Sequence, residues 1–482
     1  MRPLHLPGQF CSKVMTMSSK LNHLGDLARD LVKRTIDNTL WRQRMTINLI
    51  PSEQTPSPLV RLLCTTDPSG RYAEHQMIDA LGEVQNYYYQ GTRFIADVEA
   101  KLTEQIKSYM GCAQVETRPI SGQMANTAVY SGMLAYLNRF SKRLEPRRFR
   151  YVMNHHIASG GHLSSQAMGA LRDYVALDHI TERPAIVHFQ YEQDNPWQID
   201  IINTAQLISD CKPDLLIFGK SAVLNREPVK EIAHLISDMK PKPIIMYDAA
   251  HVFGLIGPYF QQPLKEGADI LTASTHKTFF GTQRGLIASS LNNDLNAYEL
   301  WENIVRRVFP GSVSNHHLGT LLGLLMAAYE MNIFRKEYQR RVITNAKAFA
   351  LALKECGFTV EGNPKNDYTE THQVIIRLSY TKGIEAARKL EGNNIIVNYQ
   401  RLMDDESFTT ASGIRMGVQE MSRFGMKESD FQELAHYISD ILLSGKDIPE
   451  AVAKLRSRFT KMKYCLNERQ AGPLVEAIVD CL

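Results

Sequence analysis

The stretch Pro241 to Gly285, PKPIIMYDAAHVFGLIGPYFQQPLKEGADILTASTHKTFFGTQRG, decides how the rest of the chain is read. Two short apolar runs, Ile244 to Tyr247 and Ile270 to Ala273, have the uninterrupted character of parallel strands buried on both faces. The first runs into Asp248-Ala249-Ala250-His251 and the second into Ser274-Thr275-His276-Lys277. Open α/β sheets bind ligands at this carboxyl edge. An acid and an amine therefore stand on adjacent strand ends.

A lysine there serves as a Schiff-base amine if burial or neighbouring charge lowers its pKa enough to free its lone pair. Asp248 could then meet the far end of a heterocycle. Pyridoxal phosphate needs that pair: an amine for its aldehyde and an acid to keep its ring nitrogen protonated. The alternative is a strand turn with a solvated lysine and a capping aspartate.

Outward from this stretch the pattern alternates. Candidate helices (Asp97 to Met110, Gly122 to Leu137, Gly160 to Ala170, Pro228 to Met239) separate β-rich runs at Phe149 to Met153, Ala185 to Phe189, Leu215 to Phe218 and Leu286 to Ala288. This predicts an α/β fold around a mostly parallel sheet of about seven strands. A long helix, His317 to about Cys356, leads to strands Gln373 to Leu378, Ile395 to Tyr399 and Gly413 to Gly417 and helices at Gly383 to Leu390, Glu428 to Leu443 and 450 to 463. The expected organisation is a helical arm with dimer contacts (1–60), a large α/β domain (61–320) and a smaller C-terminal α+β domain with the bridging helix (321–482). The arm helix runs from Ser19 to about Arg44, and the first ~18 residues carry no periodic pattern.

With 482 residues, 44% apolar and 22% charged, the chain has the composition of a globular protein. A net charge of +4 with interspersed signs points to neither nucleic acid nor a membrane surface as partner. Seven cysteines, scattered singly, make a disulfide framework or zinc knuckle a poor reading. The N-terminus lacks an apolar signal region, and a cytoplasmic protein is expected. His155-His156 and His316-His317 lack the carboxylates that a metal centre would add, so no metal is expected.

Three further places carry chemistry. Ser121-Gly122-Gln123 opens a helix whose free N–H groups and positive dipole end suit a phosphate, although an ordinary serine cap has the same look. Gly160-Gly161-His162 puts an imidazole near the same sheet edge. Arg415, in Ser412-Gly413-Ile414-Arg415-Met416-Gly417, could grip a carboxylate in a bidentate fork; the alternative is a surface arginine paired with a local acid.

The constellation resembles the serine hydroxymethyltransferase family of pyridoxal phosphate enzymes, of the aspartate aminotransferase fold type. Its markers are Asn48-Leu49-Ile50-Pro51-Ser52-Glu53, Tyr72-Ala73-Glu74, Tyr88-Tyr89-Gln90-Gly91, Ser121-Gly122, Gly160-Gly161-His162-Leu163, Asp248 to Gly254, Thr275-His276-Lys277-Thr278, Phe309-Pro310-Gly311 and Ser412-Gly413-Ile414-Arg415. The resemblance implies that Lys277 holds the cofactor aldehyde, Asp248 meets the ring nitrogen, His162 stacks on the ring, and Ser221 and His251 flank its hydroxyl. It implies phosphate contacts from Ser121, Gly122 and Gln123, with Tyr72 and the Gly311-Ser312 backbone reaching in from a neighbouring subunit. Ser52 and Arg415 match the amino-acid carboxylate ligands, and Glu74 and Tyr89, also from the neighbour, the acid/base and tyrosine positions. A homodimer, possibly pairing into a tetramer, follows.

The implied reaction is aldol cleavage of a β-hydroxy amino acid to glycine and an aldehyde, the serine/glycine one-carbon transfer. The sequence departs from the family at the pteridine side. Tetrahydrofolate meets an asparagine where Gln400 stands, Gly417-Val418-Gln419-Glu420-Met421 replaces the usual Gly-Thr-Pro-Ala, and the Tyr72-to-Tyr88 spacing is longer; in the phosphate loop, separately, Gln123-Met124 replaces a serine and glutamine. Gly417 to Met421 and Thr371-His372-Gln373-Val374 look more like the threonine transaldolases, which exchange aldehydes on glycine without folate. A catalytically inactive assembly partner is the remote alternative.

Overall fold

The structure is a computed structural model that describes residues 17–78, 84–142, 145–291 and 295–481. The patternless residues before Met17 lie outside that range. Seven strands form the large sheet: β1 (Gln114–Glu116), β2 (Val152–Asn154), β3 (Ile186–His188), β4 (Leu215–Phe218), β5 (Ile244–Asp248), β6 (Ile270–Ser274) and β7 (Gly285–Ser289). Their spatial order is β1-β7-β6-β5-β4-β2-β3, parallel except for β7, which runs antiparallel to both neighbours. The sequence reading found six of these. It missed β1, whose Gln-Val-Glu carries a single apolar residue at a sheet edge and gives no strand signal.

Both faces of the sheet are covered. Alternate residues of the same strand belong to different apolar layers: Leu216 and Phe218 to one, Leu215 and Ile217 to the other, with Ile245 and Met246 divided likewise. This is the two-residue period of a strand, and it explains why the runs are apolar throughout. On one face helix Gly122–Leu137 packs against helix Leu295–Val308. The approach is so close that a Cβ at Gly132 would lie 2.7 Å from the Ile304 Cα.

The second sheet has four antiparallel strands, β8 (Thr359–Val360), β9 (Gln373–Arg377), β10 (Asn398–Gln400) and β11 (Gly413–Gly417), in the order β8-β9-β11-β10. It follows the 38-residue helix Leu318–Glu355. The single strand expected from Ile395 to Tyr399 is split: Ile395–Ile396 leaves the sheet to pair in parallel with Ile47–Asn48. That pairing ties the N-terminal segment carrying Ser52 to the second sheet.

The helix expected over Gly160 to Ala170 is also absent. Two 3-10 turns, Ile157–Ser159 and Leu163–Ser165, stand there instead. Gly160 has φ +84°, and a Cβ on Gly161 would lie 2.3 Å from the His155 carbonyl oxygen, so the chain doubles back where a helix would start. His162 is consequently in extended backbone ahead of a turn and not at a helix N-terminus.

The arm is helical over Met17–Leu40, continues as a π turn over Trp41–Met45, and buries none of its helical residues in the chain itself. A hairpin, His75–Ile78 with Val84–Tyr87, occupies the lengthened segment between Tyr72 and Tyr88. No helix among the described residues is long and apolar enough to cross a membrane. The six described cysteines are free thiols.

Candidate active site

Asp248 is the last residue of β5 and is buried. Its Oδ1 accepts from the Ala250 N–H at 3.0 Å, its Oδ2 accepts from the Asn126 amide at 2.8 Å, and His162 Nδ1 lies 2.9 Å from that same Oδ2. Burial pushes the carboxyl up, but the His162 imidazole and these hydrogen bonds outweigh it and bring it down to about 2. The edge of the sheet thus keeps a buried negative charge.

Lys277 sits in the turn after β6. That turn is laced to the one after β5: Thr278 Oγ1 donates to the His251 carbonyl at 2.8 Å and accepts from the Gly254 N–H at 3.0 Å. The Lys277 amine has no hydrogen-bond or ion-pair partner among the described residues. Burial lowers it from 10.5 to about 8, with Asp248 opposing and Arg415 assisting. Lysine and aspartate are thereby tuned in the two directions that the cofactor reading requires.

His162 and His251 are stacked with ring centroids 5.5 Å apart, and His372 also stacks with His251 at 6.4 Å. Burial, with the cations Lys277 and Arg415 nearby, holds His251 well below its ordinary pKa, and burial brings His372 down to about 3. Both are neutral imidazoles at physiological pH.

Arg415, on β11, already touches the large sheet: its Nη1 donates to the Ser221 carbonyl at 2.7 Å. Its Nε reaches Asn398 at 3.4 Å. It is 9% exposed, and no carboxylate pairs with it among the described residues. The surface-pair alternative is thereby removed. Burial alone brings its pKa down to about 10, so the guanidinium remains charged and lacks an anion.

At the helix start, Ser121 Oγ caps the N–H of Met124 at 3.1 Å. Gly122 lies against the end of β6, where a Cβ would fall 2.4 Å from Ser274 Oγ. Gln123 is exposed. Ser52 lines a polar cavity of ≈ 440 Å³ with His276, Arg42, Glu53, Gln283 and Glu420. Ser221 is held through its N–H by the Gly160 carbonyl at 2.7 Å.

The residues expected from a neighbouring subunit do not join this group within the chain. Tyr72 and Tyr89 are 51% and 42% exposed, and their rings meet at a tilt with centroids 5.4 Å apart. Glu74 is half-buried beside them, Gly311 is exposed, and Ser312 Oγ donates to the Arg307 carbonyl at 2.7 Å. Among the described residues no contact links any of the five to Lys277, Asp248 or Arg415.

Three participants were not singled out from sequence. Asn126, one turn into the helix, is a polar residue on an otherwise Ala- and Val-rich buried face, and that placement was its signal. Gln373 Nε2 donates to the Ser221 carbonyl at 3.0 Å and lies 3.4 Å from His251 Nδ1, and Gln373 Oε1 accepts from the Val223 N–H at 3.3 Å. Asn398 gives no local signal; it faces Arg415 only because β10 pairs with β11.

The family model described as serine hydroxymethyltransferase matches residues 27–438. A serine hydroxymethyltransferase of Pyrobaculum aerophilum is 39% identical over 440 residues, covering 90% of this chain and 94% of the relative. That of Staphylothermus marinus is 38% identical over 443 residues, covering 90% and 92%. Among solved structures, L-threonine transaldolase from Pseudomonas fluorescens, in its internal aldimine state, superposes with a TM-score of 0.80. It is 23% identical and covers 96% of this chain and 99% of that one, a likeness of fold. The architecture is that of the fold type I pyridoxal phosphate transferases, and the chain belongs to the serine hydroxymethyltransferase family.

Proposed function

We propose that the chain is a pyridoxal phosphate enzyme that reversibly cleaves the Cα–Cβ bond of a β-hydroxy amino acid to glycine and an aldehyde, with serine and glycine as the pair. The observation that carries this reading is Arg415: a buried guanidinium without an acid, within electrostatic reach of Lys277. An amino-acid carboxylate supplies the missing anion.

The residues present fit the cofactor. Asp248, buried and ionised, suits a protonated ring nitrogen, and the unpartnered Lys277 is the amine for the aldehyde. The N–H groups at Ser121, Gly122 and Gln123 suit the phosphate, with His162, His251 and Ser221 around the ring. When bound, pyridoxal phosphate supplies an electron-withdrawing ring that takes up the electron pair released at Cα. Ser52 and Arg415 orient the substrate carboxylate. Glu74 moves the proton of the substrate hydroxyl, and Tyr89 closes over it, both supplied with Tyr72 and Gly311-Ser312 by a second copy of the chain. The exposure of Tyr72, Tyr89 and Gly311 supports the dimer.

A second reading, threonine transaldolase, is favoured by one feature. Gln419, within the Gly417 to Met421 stretch that resembles the threonine transaldolases, clamps the Ser52 loop by donating to the carbonyls of Ile50 at 2.9 Å and Glu53 at 2.8 Å. The test incubates holoenzyme with L-serine, with and without tetrahydrofolate, and separately with L-threonine plus a second aldehyde. Glycine formation from serine that depends on tetrahydrofolate supports the first reading. A new β-hydroxy amino acid from threonine, with no turnover of serine, supports the second. Turnover in neither assay sinks both.

A further inference from the structure

A buried polar cluster lies outside the site described above, at the root of the hairpin. Its centre is Glu99, on helix Arg93–Met110 and 6% exposed. Glu99 Oε1 is 2.5 Å from His316 Nε2, and its Oε2 accepts from the Tyr87 hydroxyl at 2.7 Å. His75 Nδ1 lies 3.8 Å from Glu99 Oε2 and donates to the Ala73 carbonyl at 3.1 Å. Burial disfavours the Glu99 charge, but His316, His75 and Tyr87 together hold the carboxyl below the usual range. A buried carboxylate with three partners is costly to break and is satisfied only when all three elements are in place.

Those elements are the ones that carry the five partner-facing residues. His75 and Tyr87 are the base residues of the hairpin, next to Glu74 and close to Tyr89. His316 ends the loop that contains Gly311 and Ser312. Arg118, which leads to Ser121, joins the same cluster by donating to the His75 carbonyl at 3.2 Å and by standing 5.5 Å over the Phe309 ring. Asn315 donates to the Arg71 carbonyl at 2.8 Å, one residue before Tyr72. Arg284 bonds the carbonyls of both Thr117 and His317, at 3.0 Å each.

We propose that Glu99 is a positioning residue acting across the dimer: with Tyr87 and His316 it fixes the hairpin and the 309–317 loop so that Glu74, Tyr89 and the Gly311-Ser312 backbone complete the active site of the partner copy. This rests on the shared-site reading above. Displacement of catalytic groups by about 1 Å costs up to ~100-fold. Glu99→Gln keeps the shape of the side chain, removes its charge and is expected to lower kcat about tenfold or more. In the same variant, trypsin should cut faster at Arg71 and Arg93, a readout independent of turnover.

Hybrid dimers separate a role in trans from a general loss of folding. Chains carrying Lys277→Ala are unfolded, mixed with Glu99→Gln chains and refolded together. In each hybrid, the intact lysine of the Glu99→Gln chain meets the intact hairpin of the Lys277→Ala chain. An equal mixture should therefore regain about a quarter of wild-type activity. Activity no higher than that of the Glu99→Gln homodimer alone would overturn the proposal. The control mixes Lys277→Ala with Glu74→Ala; if this pair fails to complement, the shared-site reading itself is wrong. Should Glu99→Gln not fold, Tyr87→Phe removes one bond to the same carboxylate and takes its place in the hybrid.

Discussion

Arg415 Nη1 meets the carbonyl oxygen of Ser221 at 2.7 Å, and this bond joins the four-stranded sheet to the seven-stranded sheet at the mouth of the site. The remaining guanidinium donors have no acid to bind among the described residues. A charge-assisted pair is worth about 1.5–3 kcal/mol, so Arg415→Ala should raise the KM for the amino acid roughly 10- to 100-fold while the cofactor stays bound. Arg415→Lys should recover only part, because an ammonium cannot make the planar fork. Steady-state kinetics with and without excess cofactor would check both; an unchanged KM removes Arg415 from substrate binding.

Gln373 uses both ends of its amide between the same two sheets, donating to the Ser221 carbonyl and accepting from the Val223 N–H. It is fully buried. Gln373→Leu leaves the buried Val223 N–H without a partner, at about 1–3 kcal/mol, and leaves the Ser221 carbonyl to Arg415 alone. The expected result is a lower melting temperature together with a raised KM for the amino acid, since Arg415 shares the Ser221 acceptor. Calorimetry and kinetics on one preparation would test this. A stability loss with kinetics unchanged would show that Gln373 only holds the sheets together.

The arm helix Met17–Leu40 exposes Leu24, Leu27, Leu31 and Ile36, each by more than half, and none of its residues is buried against the described part of the chain. Burying each such side chain is worth about 1.5–3 kcal/mol, so a free arm of this kind is stable only when covered. Leu24→Asp with Leu31→Asp should shift the protein from dimer to monomer in analytical ultracentrifugation. On the shared-site reading, in which Glu74 and Tyr89 come from the other copy, activity should fall with the dimer fraction. A fully active monomer would defeat the shared-site reading.

Most of the large sheet was legible because its strands are buried on both faces and so are apolar without interruption. Strand β1 was invisible because its edge position leaves Gln114 and Val115 half-buried, while its buried residue, Glu116, is a carboxylate paired with Arg118, so the run has no apolar pattern. The turn at Gly160 read as a helix because apolar spacing cannot register that Gly161 touches the His155 carbonyl. In the site, Lys277 and Asp248 were legible as strand-end residues of unusual type. Gln373 and Asn398 were not, because their role comes from the pairing of β9, β10 and β11 and from the contact between the two sheets, which local sequence does not encode.

The depressed pKa of Lys277 makes a prediction in which the sign matters. The unfolded lysine titrates at 10.5 and the folded one at about 8. Below pH 8 the amine is charged in both states, and the folded apoprotein bears the full cost of keeping that charge buried. Between about 8 and 10.5 the folded state releases its proton first, and that cost fades. Lys277→Met should therefore stabilise the apoprotein at pH 7 by something on the order of 1–3 kcal/mol, with the advantage vanishing towards pH 10. The same titration governs cofactor uptake: the reconstitution rate of wild-type apoprotein should climb as pH rises through about 8 and then level off. Asp248→Asn removes the charge that raises the lysine and should move that midpoint lower. Melting temperatures of apo wild type and Lys277→Met across this pH range, with stopped-flow reconstitution beside them, provide the check. A Lys277→Met apoprotein less stable than wild type at pH 7, or a reconstitution rate flat across pH 7 to 9, would mean that Lys277 is an ordinary charged lysine in the unliganded protein.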